Sequence, residues 1–528
     1  LLMQSAYSQS YSILKITDQK TNSPIDAASI STGDKTIAKT DENGMVKILL
    51  QGKVVLTISS VGHESKNIEI EFPTKDIYTV QLALKDQGME EVTVVASTRT
   101  NQNIENSTLK IEVLDSEEMQ EESTVKPSTI LGIIGDASGV QIQQSSAASG
   151  NTNVRIQGLD GRYTQILRDG LPLYDGYSGG FGLTSIPPLD LKQIELIKGS
   201  ASTLYGGGAI GGLINLISKK PSAKQEAVIT LNQTTLKESN FNSYFSKNYK
   251  KTGYTLYAGY TKQYAVDVND DGFSDVPQSN SFTFHPRFFF YPNKKTTITL
   301  GYNATAEDRN GGDMQVITGQ KDSFHQYFEK NNISRNTGEF FVENEINNGL
   351  RFNFKSSVSS FNRAITTSSH YFKANQLDYF SEASLVKNIK SGNWITGLNF
   401  SGNQFDIKPS DSVYLKNLKN ATIGVFTQLN YTFKKKTSIE LGLRNDHHNL
   451  YGNYLLPRVA VFHKFTNEIG IRAGYGAGYK IPDALAPQIT DYAIENILPI
   501  GPAVEPEKST GYNLEFNYKK KWDNEHSF

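Results

Sequence analysis

From about residue 225 onward the side chains alternate with a period of two, and no other feature constrains the fold as much. In GYTLYAGYT, Tyr254, Leu256, Ala258 and Tyr260 fall on one face, opposite Thr255, Tyr257, Gly259 and Thr261. TTITLGYNA sets Ile298, Leu300, Tyr302 and Ala304 against Thr297, Thr299, Gly301 and Asn303. In IGIRAGYGAGYK, Ile469, Ile471, Ala473, Tyr475, Ala477 and Tyr479 oppose Gly470, Arg472, Gly474, Gly476, Gly478 and Lys480. Strands of about ten residues, apolar on one side, polar or glycine on the other and rich in aromatics, predict a transmembrane antiparallel β-barrel.

The connections point the same way. Tight turns such as YPNKK and FKKKT alternate with long polar segments near 264–280, 305–325, 404–420 and 480–507. Short turns on one rim and long loops on the other are the pattern of an outer-membrane barrel. A soluble adhesin of stacked sandwiches needs no such consistent two-faced pattern. Composition removes other classes. Lys and Arg number 53 against 54 acids, a net charge of -1 that gives no electrostatic reason to expect nucleic acid. With Cys at 0, disulfides and thiolate metal sites are impossible. No run of about 18 apolar residues is present, which excludes a transmembrane helix but not a membrane β-barrel.

Ahead of the alternating region lie three shorter zones. Residues 1–10, LLMQSAYSQS, read as the remnant of a secretory signal peptide. Residues 11–86 carry short strand-like runs separated by turn residues at Pro24 and at Asp41 to Gly44, the pattern of a small β-sandwich. Residues 87–222 are mixed α+β, with helix-like SEEMQEES and KPSTILGIIG and strand-like NVRIQGL, YTQILRDGLPLY and QIELIKG. This zone ends in LYGGGAIGGLINLISKKP, where Gly206, Gly208 and Gly211 match the spacing of a dinucleotide-binding loop. The residues that follow, Leu213 to Ser218, form a short β-branched run ended by Pro221, so a strand follows the glycines and not the helix that a nucleotide site requires. Glycines that let backbones pack closely at a tight turn are the better reading.

Two blocks, VRIQGLDGRYTQILRDGLPLYDG and DLKQIELIKGSASTLYGGGAIGGLINLISKKP, resemble the plug domain of TonB-dependent outer-membrane receptors. The preceding MEEVTVVAST resembles the TonB box, and residues 11–86 resemble the carboxypeptidase-regulatory-like sandwich that precedes the plug in Bacteroidetes receptors. GYGAGYKIPDALAPQ and VEPEKSTGYNLEFNYK are similar to barrel segments of the same family. The resemblance covers nearly the whole chain. It implies a sandwich (11–86), box and plug (87–222) and barrel (223–528), with the glycine run as the turn that closes the plug. Roughly fourteen strand-like runs follow residue 225, whereas plugged transporters close with about 22, so the barrel is expected to be incomplete at its C-terminus.

The resemblance also implies function and sites. The expected role is active import of a scarce, bulky ligand across the bacterial outer membrane, not enzymatic catalysis; a passive porin or a surface adhesin is the alternative. The TonB–ExbB–ExbD complex is the implied energy source and outer-membrane lipid the surroundings. Glu90, Glu91, Val92, Thr93, Val94, Val95 and Ala96 form a short β-prone segment suited to pairing its backbone with an edge strand of a periplasmic partner. Family plugs place basic residues at the positions of Arg155 and Lys198, paired with wall acids such as the one matching Glu515; lysine at 198 lacks the bidentate fork of arginine.

For the ligand, the expected plug-apex loops are 141–151 and 174–182, with Ile142, Gln144, Tyr174, Tyr177 and Phe181 as candidate contacts. Aromatic and amide side chains suit a ferric siderophore foremost, and haem or a corrinoid as other iron-chelate or amphipathic cargoes. No histidine lies between 90 and 220, which weakens haem; His447-His448 could serve from a loop, but an adjacent pair in a polar loop is more often solvated. No catalytic cofactor is expected. A structural calcium is: in DVNDDGFSD, Asp267, Asn269, Asp271 and Asp275 stand at positions one, three, five and nine of an EF-hand-type loop, with Gly272 at the sharp turn and Gln278 in place of the bidentate Glu.

Overall fold

The computed structural model describes residues 11–528 apart from 20, 33–34, 61–62, 64, 75, 84–92, 95–101, 104–106, 175–176, 178–181, 201, 408–414, 467, 484, 486–498, 519–520, 524–525 and 528. It divides into two compact units, Leu1–Val92 and Thr93–Phe528.

The first unit holds a three-stranded and a four-stranded sheet. Leu14, Ile16 and Val80 from one sheet join Ile30, Leu56 and Ile58 from the other in a single apolar cluster, the packing of a β-sandwich. Alternation explains the choice: in Ser12–Asp18, Leu14 and Ile16 point inward while Ile13 and Lys15 are half-buried.

In the second unit, a five-stranded mixed sheet runs in the order Lys110–Leu114, Leu191–Lys198, Gly212–Ser218, Thr164–Arg168, Leu171–Tyr174. Its central strand follows the glycine run directly, pairing antiparallel with Leu191–Lys198 and parallel with Thr164–Arg168. Two helices cover it. Ser116–Val125 starts with a capping box, Asp115 accepting from the Glu117 and Glu118 N–H groups while Glu118 returns to the Asp115 N–H, and Leu131–Asp136 buries Ile133 and Ile134. Leu191, Ile194, Leu196, Ile214 and Leu216 form the core beneath them.

Around this plug runs one antiparallel sheet of 14 strands, from Glu226–Gln233 to Glu507–Tyr518, each paired with the next along the chain. Its polarity is inverted relative to a soluble protein. Large apolar side chains such as Leu231, Trp394, Leu398, Val425, Leu443 and Leu514 are exposed on the outer face, while Asn242, Arg287, Glu339, Arg363, Glu382 and Arg444 are buried inside. An apolar outer band around a polar lumen is the arrangement for a wall set in lipid. No helix among the described residues is long and apolar enough to cross a membrane.

The expected face assignments hold in Thr252–Gln263, where Thr255, Tyr257 and Gly259 are buried against the interior and Tyr260 is exposed. They fail at Tyr479, which is buried and faces inward although Tyr475 and Ala477 share its parity. The reason lies in pairing. Ile469–Lys480 pairs with its preceding neighbour only as far as Arg458–Gly476, and beyond it the Tyr479 N–H donates to Gly207 O of the plug. The described connections differ in length as expected: 294–295, 348–349 and 390–391 turn on one rim, while 264–277 and 313–327 are long connections on the other; 408–414, 484 and 486–498 lie outside the described residues.

Candidate plug–wall interface and ligand cavity

The wall holds the plug mostly through charged side chains that bond backbone. Arg309 Nη1 donates to the Ser149 and Gly150 carbonyls (3.2 and 3.0 Å), Lys355 Nζ to Gly170 O (2.6 Å), Arg472 Nε to Ser107 O (2.9 Å), and Arg458 to Ser200 O. Wall acids accept from plug hydroxyls: Glu440 from Thr108 (2.6 Å), Glu307 from Ser185 (2.7 Å) and Glu238 from Ser128 (2.9 Å). Most of these wall charges are already neutralised within the wall, in pairs such as Arg309–Glu307, Arg458–Glu440 and Lys355–Glu382. Pairs two residues apart on one strand, 307/309 and 444/446, arise because such positions share a face. A neutralised wall grips the plug through charge-assisted hydrogen bonds of about 1.5–3 kcal/mol each, and few full charges are stranded if the plug leaves.

Several contacts are ionic across the interface, among them plug Arg162 on wall Glu507 (3.3 Å) and a cluster around Asp190. Plug Asp190 accepts from plug Arg168 and from wall His285 Nδ1 (2.7 Å), and plug Asp169 pairs with wall Arg287 (3.0 Å). Burial pushes the Asp190 carboxyl up, but Arg168 and His285 outweigh it and hold the group at about 2.

The expected basic–acidic cluster is not formed. Glu515 pairs with wall Arg472 at 3.0 Å, Lys198 with Glu112 of the adjacent plug strand, and Arg155 donates to Gln143 Oε1 and Gly158 O within the plug. Glu112 and Lys198 are cross-strand neighbours, offset by two in the register Lys110–Lys198, so the local partner wins over a distant one. The ionic contacts to the wall are made instead by Asp169 on Arg287, Asp190 on His285 and Arg162 on Glu507. The one available signal was the paired charge in YTQILRDG, Arg168-Asp169, at the end of a strand.

Ligand candidates divide similarly. Tyr177 is 3% exposed, packed edge-on against Phe361, Phe372 and Phe405, with its hydroxyl donating to Arg363 O at 3.1 Å. Burial pushes its phenol pKa up, and it anchors plug to wall, so it is not an apex contact. Ile142 packs against the plug core and offers no amide. Gln144 is exposed, at the base of the 264–277 loop near Asp275 O. Tyr174 ends the strand Leu171–Tyr174, and Phe181 lies outside the described residues. Of the proposed box, Thr93–Val94 forms a two-residue strand paired with Gln102–Asn103; Glu90, Glu91, Val92, Val95 and Ala96 lie outside the described residues.

The calcium set is not assembled. Asp267 accepts from the Asp271 and Gly272 N–H groups, Asn269 from Asp271 N–H, Asp271 from Phe273 N–H and Asp275 from Val268 N–H. These are turn-forming bonds typical of Asp and Asn. Among the described residues no group of three or more His, Cys, Asp or Glu is arranged to hold a metal.

The glycine run answers to close approach. A Cβ on Gly207 would lie 2.2 Å from Tyr479 Cδ1, and the Tyr479 N–H donates to Gly207 O at 3.3 Å. Tyr479 stacks on Tyr454 (4.0 Å between rings) and its hydroxyl donates to Asp446 at 2.9 Å. Between this turn and the wall lies a cavity of about 190 Å³, bordered by Gly206, Gly207, Asn399, Asn420, Arg444 and His448. His448, one of the pair His447-His448, is 1% exposed within this lining and not a solvated loop residue.

Comparison with known proteins accounts for the whole arrangement. Residues 103–213 match the TonB-dependent receptor plug domain, 223–527 the TonB-dependent receptor-like β-barrel, and 15–94 the CarboxypepD_reg-like domain. The vitamin B12 transporter BtuB of Vibrio vulnificus is 21% identical over 81% of this chain and 68% of its own length. The iron-regulated outer membrane virulence protein of Vibrio cholerae is 22% identical over 81% and 66%. In structure, the chain is similar to the ferric enterobactin receptor PfeA of Pseudomonas aeruginosa (TM-score 0.60, 16% identity, 74% of this chain) and to the siderophore receptor PirA of Acinetobacter baumannii (TM-score 0.63, 17% identity, 81% of this chain). It spans 64% of that PfeA chain and 70% of that PirA chain. With plug and barrel matching in sequence and the same fold in both solved receptors, the chain belongs to the TonB-dependent receptors of the bacterial outer membrane.

Proposed function

We propose that the protein is an energised importer that carries a scarce, bulky ligand across the outer membrane, with a ferric siderophore foremost and haem or a corrinoid as the other cargoes. The observation that carries this reading is the occupied lumen: a folded plug bonded to the wall from Glu238 round to Arg472. A passive porin needs an open aqueous lumen, and an adhesin needs no apolar outer band. The relatives named above include a B12 transporter and siderophore receptors, in keeping with an importer and not an enzyme.

In this reading, a periplasmic TonB strand pairs with the backbone of Glu90–Ala96, and the TonB–ExbB–ExbD complex supplies the pull. Backbone pairing transmits force without needing side-chain specificity. The plug's bonds to the wall are individually modest, so they yield in sequence under load. The test is growth of a deletion strain on a panel of ferric siderophores, haem and cobalamin, complemented by this gene with and without TonB. Uptake of one ligand that stops without TonB supports import; uptake that persists without TonB makes the protein a passive pore.

A further inference from the structure

We infer that the cavity beside the glycine turn seats an uncharged, oxygen-bearing lobe of the imported ligand, a hydroxyl or amide-carbonyl group, held by His448 and Arg444. This rests on the importer reading and adds the ligand's chemistry to it.

The donors come first. His448 Nδ1 accepts the Leu450 N–H at 3.1 Å, so the neutral ring carries its hydrogen on Nε2. His448 lines the cavity, and its buried Nε2 has no hydrogen-bond partner in the protein. Arg444, 2% exposed, gives Nε to Asp446 (2.6 Å) and Nη2 to Asn399 (2.8 Å), and its Nη1 is likewise without a partner. The guanidinium is fixed in place by its neighbours. A Cβ at wall Gly424 would sit 2.3 Å from Nη2 and 2.4 Å from both Asn399 Oδ1 and Asp446 Oδ1, so only glycine leaves room for this group. Asn420 adds an acceptor: its Nδ2 donates to Asn403 (3.3 Å) while its buried Oδ1 is unpartnered.

Two buried unpartnered donors and one acceptor, on residues that line a single space, suit a group that both accepts and donates. Charge then decides between ligand classes. The charged residues bordering the cavity are Arg444 and Lys480 against Asp378, Asp446 and Asp483, with Arg444 on Asp446 and Lys480 within 3.5 Å of Asp483. Among the described residues no excess positive charge offsets a multiply charged anion here, and burying one without compensation is strongly unfavourable. Hydroxyl and amide oxygens carry no such cost. At about 190 Å³ the space is smaller than the 300–1,000 Å³ typical of a pocket that encloses a whole ligand, so it takes one lobe. That lobe would rest on the plug itself, at Gly206 and Gly207.

The test is equilibrium binding to outer-membrane vesicles carrying the full-length protein. The probes are an uncharged ferric trihydroxamate, cobalamin with its peripheral amides, and an anionic ferric tricatecholate. We expect one of the uncharged probes to bind at least about tenfold more tightly than the tricatecholate, and His448→Ala or Asn420→Ala to weaken it about tenfold by losing one buried hydrogen bond. His448→Gln, which keeps an N–H, should recover part of the loss. Heat-modifiable migration identical to wild type establishes that each variant is folded. Tightest binding of the tricatecholate, or tight binding indifferent to both alanine variants, overturns the inference while leaving import intact. Binding of none of the three overturns it too, and TonB-independent growth beside that result removes the importer reading as well.

Discussion

Replacing Asp190 by alanine should loosen the plug more than any comparable change at the interface. Asp190 is 4% exposed and accepts from both Arg168 and His285, so its removal leaves a buried guanidinium without its carboxylate and breaks the contact to the wall. Removing one partner of a buried charge pair costs about 3–5 kcal/mol. Arg168 keeps Ser218 at 3.1 Å, so the lower end applies: about 3 kcal/mol, or a rise of about 10² in the fraction of plug released. The assay is urea titration of the purified protein in detergent, with protease cutting of the plug as the readout. Asp190→Asn, which keeps the shape and one acceptor, should fall between wild type and alanine. The carboxyl also sets a pH dependence. Its folded pKa of about 2 lies below its ordinary 3.8, so the stabilisation is present in full above about pH 4 and disappears as pH falls through 2. That difference is worth about 2 kcal/mol. Equal plug protection in Asp190→Ala and wild type, or docking that weakens as pH rises from 4 to 7, would refute the reasoning.

Val94→Pro in the full-length protein should abolish uptake while leaving ligand binding unchanged, because proline removes a backbone donor from the strand that TonB is expected to pair with; equal loss of binding would assign the segment to folding instead. Gly207→Ala should lower the urea midpoint by the equivalent of about 1–3 kcal/mol, since its Cβ would meet Tyr479 Cδ1 at 2.2 Å and the ring is held against Tyr454; an unchanged midpoint would mean the turn yields freely. Val425→Arg places a charge on the outer face at a residue 60% exposed, and should cost up to about 2–4 kcal/mol and reduce the heat-modifiable fraction, an effect absent if that face met water. Protease cutting within 264–280 should be the same with calcium and with chelator, since the Asp267, Asp271 and Asp275 carboxylates already accept backbone N–H groups; protection by calcium alone would restore the ligand set.

Repetition made the architecture readable without coordinates. An alternation such as Thr255/Leu256/Tyr257/Ala258, repeated over many strands, specifies a two-faced sheet whatever surrounds it, and turn length separates the two rims. The glycine run was legible as a close approach because a β-branched strand follows it at once. Hidden from the sequence was every contact made by residues far apart in the chain. Lys198 took Glu112 and Glu515 took Arg472, because a cross-strand neighbour forms a pair at little further entropic cost. Tyr177 looked like an apex aromatic but is enclosed by Phe361, Phe372 and Phe405, three rings that only strand pairing brings together. Tyr479 changed face where its neighbour stopped pairing at Gly476, and His448 is buried in the lining of the cavity between plug and wall. Periodicity is a local property, written in each strand and sufficient for the two-faced wall, whereas the plug was recognised by the resemblance of its two sequence blocks. The partner of a buried charge and the side on which a strand end settles depend on which distant segments meet, and only the packed wall and plug decide that.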